Sequence, residues 1–411
     1  MSRLADLINE LCPDGVEYKN IGSFADCVAG ATPKTTDPTF WDGDIPWMSS
    51  GEVNKGTVYS TDRFITKAGY DSCSTKMVPP GAVVIALAGQ GKTRGTVART
   101  RIELCTNQSL CSILPQECVN SDFLYHFLAG EYDNLRAVSS GDGTRGGLNL
   151  KMIRAYKVPV PPLAVQCEIV RILDQFTTLE AELEAELEAR RAQYEYYRNQ
   201  LLSYDALVSR CPNGVQYKSI GSFSKCVAGA TPNSKNPSLW DGDIPWMSSG
   251  EVNKKTVYST NRFITQLGFD SCSTKMVPAG AVVIALAGQG KTRGTVARIR
   301  IELCTNQSLC AIITDKTVDS DYLFHYLSGQ YDNLRAVSSG DGTRGGLNLK
   351  MIRAYKVPVP PIEEQRRIAD VLDRFDTLVN DISSGLPAEI AARRAQYEYY
   401  RDRLLSFPEK K

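Results

Sequence analysis

The residues best equipped for chemistry lie in two glycine-rich, cationic stretches, and each stretch occurs twice. Ala86-Leu-Ala-Gly-Gln-Gly-Lys-Thr93 returns unchanged at Ala285–Thr292, and Ser139-Ser-Gly-Asp-Gly-Thr-Arg-Gly-Gly-Leu-Asn149 returns at Ser338–Asn348. The first ends in Gly-Lys-Thr after an apolar run, as nucleotide-phosphate loops do. Such a loop also needs a glycine where Ala86 stands and a helix after the Lys-Thr, so that N-terminal amides face the phosphates. Here Arg94-Gly-Thr-Val-Ala-Arg follows, β-branched and interrupted by Gly95, and no convincing apolar strand ends in a magnesium-binding aspartate. Nucleotide hydrolysis is the poorer reading.

The same residues suit double-stranded DNA. Gly89, Gly91 and Gly95 let backbone approach a phosphate chain. Gln90, Lys92, Thr93 and Arg94 offer donors to phosphates and to the guanine and adenine edges of the major groove. Their counterparts are Gln289, Lys291, Thr292 and Arg293. The second loop adds Thr144, Arg145 and Asn149, repeated as Thr343, Arg344 and Asn348. A third stretch, Trp47-Met-Ser-Ser-Gly-Glu-Val-Asn54, offers Ser49, Ser50, Glu52 and Asn54, with Ser248, Ser249, Glu251 and Asn253 in the repeat, while Trp47 suits the core. For the two glycine-rich loops the bland alternative is a tight solvent-exposed turn.

Catalysis has little to stand on. The chain has 2 histidines, His126 and His325, equivalent to one another inside an apolar helical stretch, where a satisfied core position is the better reading. There is no Asn/Asp-Pro-Pro-Tyr/Phe of the kind that grips a flipped adenine, no defensible methyl-donor motif, and no sign of a bound cofactor. The 12 cysteines include no Cys-x-x-Cys, and neighbours such as those of Cys105, Cys111 and Cys167 predict buried free thiols rather than disulfides or a metal site.

Behind these loops stands a duplication. Residues 12–162 recur at 211–361 with a constant offset of 199, and 30 of the 151 aligned positions differ. Two equal modules suggest a ligand with two equal halves. Short strand-like runs (Val28–Pro33, Trp41–Trp47, Gly81–Ala88), turn chemistry between them and a helical signal over Ser121–Leu128 predict a mixed α/β (α+β) globule in each. From Leu163 to about Leu202 there is no glycine or proline, and apolar residues recur at helical spacing through Ile169, Leu173, Phe176, Leu179, Leu183 and Leu187. One helix of that length spans about 60 Å, close to 18 base pairs. Within it Leu179-Glu-Ala-Glu repeats at Leu183-Glu-Ala-Glu, so its length can change by single turns.

An equivalent segment begins at Ile362, but Ser383-Ser-Gly-Leu-Pro387 should break it before Ala392–Arg401, which matches Ala189–Arg198 at an offset of 203. The expected division is 1–162, a first recognition domain; 163–204, a spacer helix; 205–361, a second recognition domain; and 362–411, a second helical region. The two helices should form an intramolecular antiparallel pair, with pseudo-twofold symmetry.

Net charge is only +1, which looks unsuited to nucleic acid until it is divided along the chain: the second repeat has 17 basic and 10 acidic residues, the first 15 of each. The second can attract phosphate by its net field, whereas the first needs local clustering. A polar start and no run of about 18 apolar residues predict a cytoplasmic protein with no membrane partner.

Taken together, Ala31-Thr-Pro33, Trp41-Asp-Gly-Asp-Ile-Pro-Trp47, Arg145-Gly-Gly-Leu-Asn149, Val158-Pro-Val-Pro-Pro162 and the long helix resemble the recognition domain and spacer helix of the DNA specificity subunits of type I restriction–modification systems. The order domain, helix, domain, helix covers essentially the whole chain. Pro360-Pro-Ile-Glu-Glu-Gln365 keeps that family's Pro-Pro-x-x-Glu-Gln pattern, whereas Pro161-Pro-Leu-Ala-Val-Gln166 lacks the glutamate. The resemblance implies a non-catalytic subunit that reads a bipartite site. It also implies a scaffold for two adenine methyltransferase subunits, which restriction subunits can join, with tetrad number setting the gap between half-sites. Residues 81–99 and 132–162 are identical to 280–298 and 331–361, so the expected site is an interrupted palindrome. Substitutions such as Gly56/Lys255 and Thr100/Ile299 could shift one base preference.

Overall fold

The computed structural model describes residues 2–89, 93–138, 147–211, 214–288, 292–338, 346–380 and 384–410. The chain forms two compact units. Unit 1 comprises Met1–Leu183 with Ile390–Lys411, and unit 2 comprises Glu184–Glu389.

In unit 1 the apolar run around residue 84 becomes the strand Val83–Ala86, buried on both faces. Alternation divides its side chains: Val83 and Ile85 join a core with Phe123, Leu124 and Ile169, while Val84 and Ala86 join a second with Met48, Val53, Ala98 and Leu104. A strand sandwiched in this way reads in sequence as a continuous apolar run. It is a central strand of a five-stranded sheet ordered Ala25–Ala29, Leu110–Pro115, Val83–Ala86, Val97–Thr100, Thr57–Val58, antiparallel except for the last pair. Trp41–Met48 is a strand despite its internal Asp-Gly-Asp and Pro46. Its register shifts between Trp41 and Ile45, where Asp42 takes φ +59°, so the irregular sequence is spent in a bulge.

The helix Ser121–Gly130, capped by the Asn120 side chain, lies on the first core. His126 on it is fully buried and satisfied at both ring nitrogens, as expected of a core histidine. Nε2 meets Asp174 Oδ1 at 3.0 Å and Nδ1 meets the Tyr397 hydroxyl at 2.9 Å. With Asp174 ionised, Nε2 carries the proton and Tyr397 donates to Nδ1. Arg99 Nη1 donates to the same Asp174 oxygen at 2.9 Å and to Asp122 at 3.0 Å.

The helix Leu163–Leu202 has the predicted extent. Its start is fixed by Gln166, fully buried, whose Oε1 accepts from Asn120 N at 2.8 Å and whose Nε2 donates to Pro161 O at 2.7 Å and Cys118 O at 3.2 Å. Gln365 repeats this in unit 2. The glutamate missing before Gln166 is replaced by Val165, which is buried in the core. Glu364 instead pairs with Arg210 at 2.7 Å and with Arg367. In unit 1 the first half of the helix runs antiparallel to the helix Leu386–Leu404, joined by Phe176 stacked on Tyr400 at 5.3 Å and by Arg394 to Glu180 at 2.6 Å. As the sequence predicted, the second helical region is interrupted. Ile362–Asn380 ends, and Leu386–Leu404 starts with Pro387 in its first turn, where a proline lacks no needed donor.

Unit 2 has the same sheets in the same order. Its His325 joins Asp373 at 2.7 Å and the Tyr194 hydroxyl at 3.0 Å. Thus unit 2 runs tyrosine helix, domain, exit helix, whereas unit 1 runs domain, exit helix and, after an interval of sequence, tyrosine helix. The segment after Tyr397 closes unit 1 through Val16 N to Pro408 O at 2.8 Å and Lys410 N to Val16 O at 2.9 Å.

All 12 cysteines are free, and Cys105 and Cys111 are buried as expected; Cys167 is exposed, a correction to its reading as core. It falls one residue after buried Gln166 and turns to the outer face of the helix. No helix among the described residues is long and apolar enough to cross a membrane.

Burial pushes the Asp174 carboxyl up, but hydrogen bonds and charge from His126 and Arg99 outweigh it and bring it to about 2. A folded pKa below the unfolded value contributes stability above the unfolded pKa and loses it as pH falls toward the folded one. Because Asp174 is a third exposed, Asp174→Asn should cost about 1–2 kcal/mol at pH 7. In urea titrations across pH the deficit should shrink as pH falls from about 5 towards 2; a deficit independent of pH would show that the carboxylate charge is not what matters.

Candidate nucleic-acid interface

The described ends of the two glycine-rich stretches, and the start of the third at Ser49, meet at one end of the five-stranded sheet. Strand Val83–Ala86 leaves the sheet into the first glycine-rich stretch and re-enters as Val97–Thr100, with Gly95 N bonded to Ala86 O at 2.9 Å. A strand, not a helix, follows the Gly-Lys-Thr, so helix N-terminal amides are not aimed at the loop and the nucleotide-phosphate reading fails on geometry. Beside it, Leu87 N bonds Ser109 O at 2.8 Å in the turn before Leu110–Pro115, and Leu148 N bonds Leu87 O at 2.9 Å, which brings in the end of the second glycine-rich stretch. Asn107 N bonds Met48 O at 3.1 Å, so Ser49 and Ser50 start from the same rim.

At the neck of the first loop Gly89 has φ +151°, and a Cβ there would lie 1.8 Å from Thr93 Oγ1. The site needs a glycine, and Thr93 packs its hydroxyl against that neck instead of pointing away from it. Arg94 is half-buried and Arg293 only 8% exposed. Asn149 and Asn348 are exposed but cap short helices, accepting from Met152 N and Met351 N at 3.0 Å each. Asn54 and Asn253 are exposed. Gln90, Lys92, Thr144, Arg145, Gln289, Lys291, Thr343 and Arg344 lie outside the described residues.

Glu52 and Glu251 require a correction, because neither carboxylate faces outward to read a base edge. Glu52 is 3% exposed; Oε2 accepts from Ser49 N at 2.7 Å and Ser49 Oγ at 3.1 Å, and Oε1 from Lys55 Nζ at 3.0 Å and Asp62 N at 2.9 Å. A buried carboxylate is stable only with such donors, and these four tie residue 49 to residue 62. Glu251 makes the same bonds; burial pushes its carboxyl up, but Ser248 N, Lys254 and Asn261 N outweigh this and hold it below the usual carboxylate range. Ser49 and Ser248 are bound to these carboxylates, leaving Ser50 and Ser249 as the unassigned hydroxyls of the stretch.

Neither substitution thought able to shift base preference is at this rim. Thr100 and Ile299 are fully buried in the sheet, and Lys255 reaches Asn380 Oδ1 on the exit helix at 3.1 Å. Sequence reasoning missed a fourth loop, 30–37, which does belong to the rim. Gly30 lies so close to Thr106 that a Cβ would meet its carbonyl oxygen at 1.8 Å, Ala31 N bonds that oxygen at 2.9 Å, and the Thr32 hydroxyl bonds Gln108 Oε1. Trp47, buried as expected, donates to Ala31 O at 3.1 Å. The signal is the Ala31-Thr-Pro33 motif followed by the donors Lys34, Thr35, Thr36 and Thr39.

The family model described as the type I restriction modification DNA specificity domain matches residues 13–189 and again 212–392. The chain belongs to this family. Among its relatives is the EcoR124I/EcoR124II specificity subunit of Escherichia coli, 39% identical over 61% of this chain; the match spans 63% of that protein's length. A specificity subunit from Haemophilus influenzae is 31% identical over 71% of this chain and 74% of its own length. The solved S subunit of a type I restriction–modification system from M. genitalium shares the fold at TM-score 0.59 and 14% identity, covering 95% of this chain and 96% of its own.

If Glu52 braces the loop, Glu52→Gln should lower the urea-unfolding stability of unit 1 by about 1–3 kcal/mol, the cost of stranding buried partners. An open base-reading residue would change by no more than about 0.5 kcal/mol.

Proposed function

We propose that this chain is the DNA-recognition subunit of a type I restriction–modification complex, reading a bipartite site with one rim per unit. It performs no chemistry itself and needs no cofactor. Adenine methylation belongs to two partner methyltransferase subunits held on the helices, and ATP-driven cleavage to restriction subunits where these join. The complex works in the cytoplasm on double-stranded DNA. The observation that carries this reading is the repetition of one loop rim, built on the same backbone frame, within a chain of the DNA-specificity family.

The equality of the rims has a consequence for the site. Residues 81–99 and 132–162 are the same in both units, so two readers set on DNA in opposite senses, as the resemblance implies, select equal half-sites in inverted orientation. The site is an interrupted palindrome. The Leu-Glu-Ala-Glu tetrads at 179–186 lie within the unbroken helix, at 1.5 Å per residue, so one tetrad changes the gap by roughly 2 base pairs.

The test is to map methylated adenine in DNA from cells expressing this chain with its methyltransferase partner, against cells lacking the chain. An interrupted palindrome marked on both strands is expected. Unlike halves would refute the equality of the readers, and the absence of any chain-dependent mark would overturn DNA recognition in favour of a duplicated protein scaffold.

A further inference from the structure

The rim is not equally conserved between the two units. Residues 81–99 and 132–162 are invariant, but between Lys34 and Phe40 six of seven positions differ: Lys34/Asn233, Thr35/Ser234, Thr36/Lys235, Asp37/Asn236, Thr39/Ser238 and Phe40/Leu239. Differences also gather at 112–120, along the strand Leu110–Pro115 and past its far end, where Gln116 N bonds Phe24 O, and at 123–131, along the helix Ser121–Gly130. Of these three, only 34–40 falls on the rim.

Its frame does not change with its chemistry. Trp41 Nε1 donates to Lys34 O at 3.3 Å and Trp240 Nε1 to Asn233 O at 3.2 Å; Trp47 and Trp246 hold Ala31 O and Ala230 O at 3.1 and 3.0 Å. Thr32 to Gln108 is repeated as Thr231 to Gln307. Asp37 caps the following turn by accepting from Thr39 N at 3.1 Å with φ −103°, and Asn236 accepts from Ser238 N at 3.1 Å with φ −103°. The cap survives and the negative charge is gone. Meanwhile the exposed cation moves two residues along the loop, from Lys34 to Lys235, which aligns with Thr36. The frame is kept while the charge it presents to solvent is redistributed.

We propose that loops 31–40 and 230–239 contact the DNA phosphate backbone beside each half-site, and that their different charge makes the second unit the stronger holder of its half. This rests on the DNA-recognition reading above. Lys34 and Lys235 each neutralise a phosphate, at positions two residues apart on an otherwise equal frame. Asp37 repels the backbone in unit 1, and Asn236 does not in unit 2. Phosphate contacts set position and affinity without choosing bases, so the palindromic core stays equal while grip on the two halves does not.

The experiment measures the salt dependence of binding by the complex of full-length chain and methyltransferase subunits to a duplex carrying the mapped site. Each lost phosphate contact lowers the slope of log K against log salt by about 0.9. Lys34→Asn and Lys235→Thr should each lower it by about that amount. Asp37→Asn should tighten binding at low salt, without changing the methylated core sequence. A steep wild-type slope left unchanged by both lysine variants would overturn this proposal alone. A wild-type complex with no salt-sensitive binding would overturn the DNA-recognition reading and this proposal with it.

Discussion

Each unit is organised around one buried histidine that ties three helices together. His126 belongs to the recognition domain, Asp174 to the helix leaving that domain, and Tyr397 to a helix more than two hundred residues further along. A fully buried imidazole is tolerated only if both nitrogens are satisfied, and here the two partners come from different helices. Arg99 adds a second lock by joining Asp174 to Asp122, so the strand Val97–Thr100, which leaves the glycine-rich loop, is anchored to the same helix pair. The loop rim and the long helix are thereby fixed to one another within a unit.

That constraint also explains why two units with different chain orders have one architecture. In unit 2 the tyrosine helix precedes the domain, and in unit 1 it follows at the far end of the sequence, yet Tyr194 and Tyr397 meet equivalent histidine nitrogens. The tolerated differences sit where the frame does not need them. Val165 replaces Glu364 because the buried Gln166 and Gln365 alone define the helix start. Asp376, standing where unit 1 has Thr177, adds a third carboxylate to Arg298 without displacing the others.

Much of this was legible in the residues. The duplication, the long helix, the break at Ser383–Pro387, buried Trp47 and the core histidines follow from periodicity, from glycine and proline, and from apolar context, which act locally. The misses are tertiary. Glu52 has the composition of a reading residue and is spent on four donors that only folding brings together; Cys167 has apolar neighbours in sequence but not in space. Loop 30–37 offers Lys34, Thr35 and Thr36 in sequence, but it joins the rim through a backbone bond to Thr106 that no side-chain pattern records. Asp-Gly-Asp within Trp41–Met48 signals a turn, and the structure absorbs it as a bulge because Trp41 and Trp47, edge to face at 5.1 Å, both have to be buried.

The most direct test of this account is amide hydrogen exchange on the whole chain after removing one hydroxyl at a time. Tyr397→Phe strands His126 Nδ1 and should speed exchange in Ala25–Ala29, Val83–Ala86, Leu110–Pro115 and the helix Ser121–Gly130, leaving unit 2 protected. Tyr194→Phe should do the converse in Ser224–Ala228, Val282–Ala285 and Leu309–Thr314. Equal loosening of both units by either variant, or none by either, would contradict the claim that each domain is held by its own histidine-centred lock.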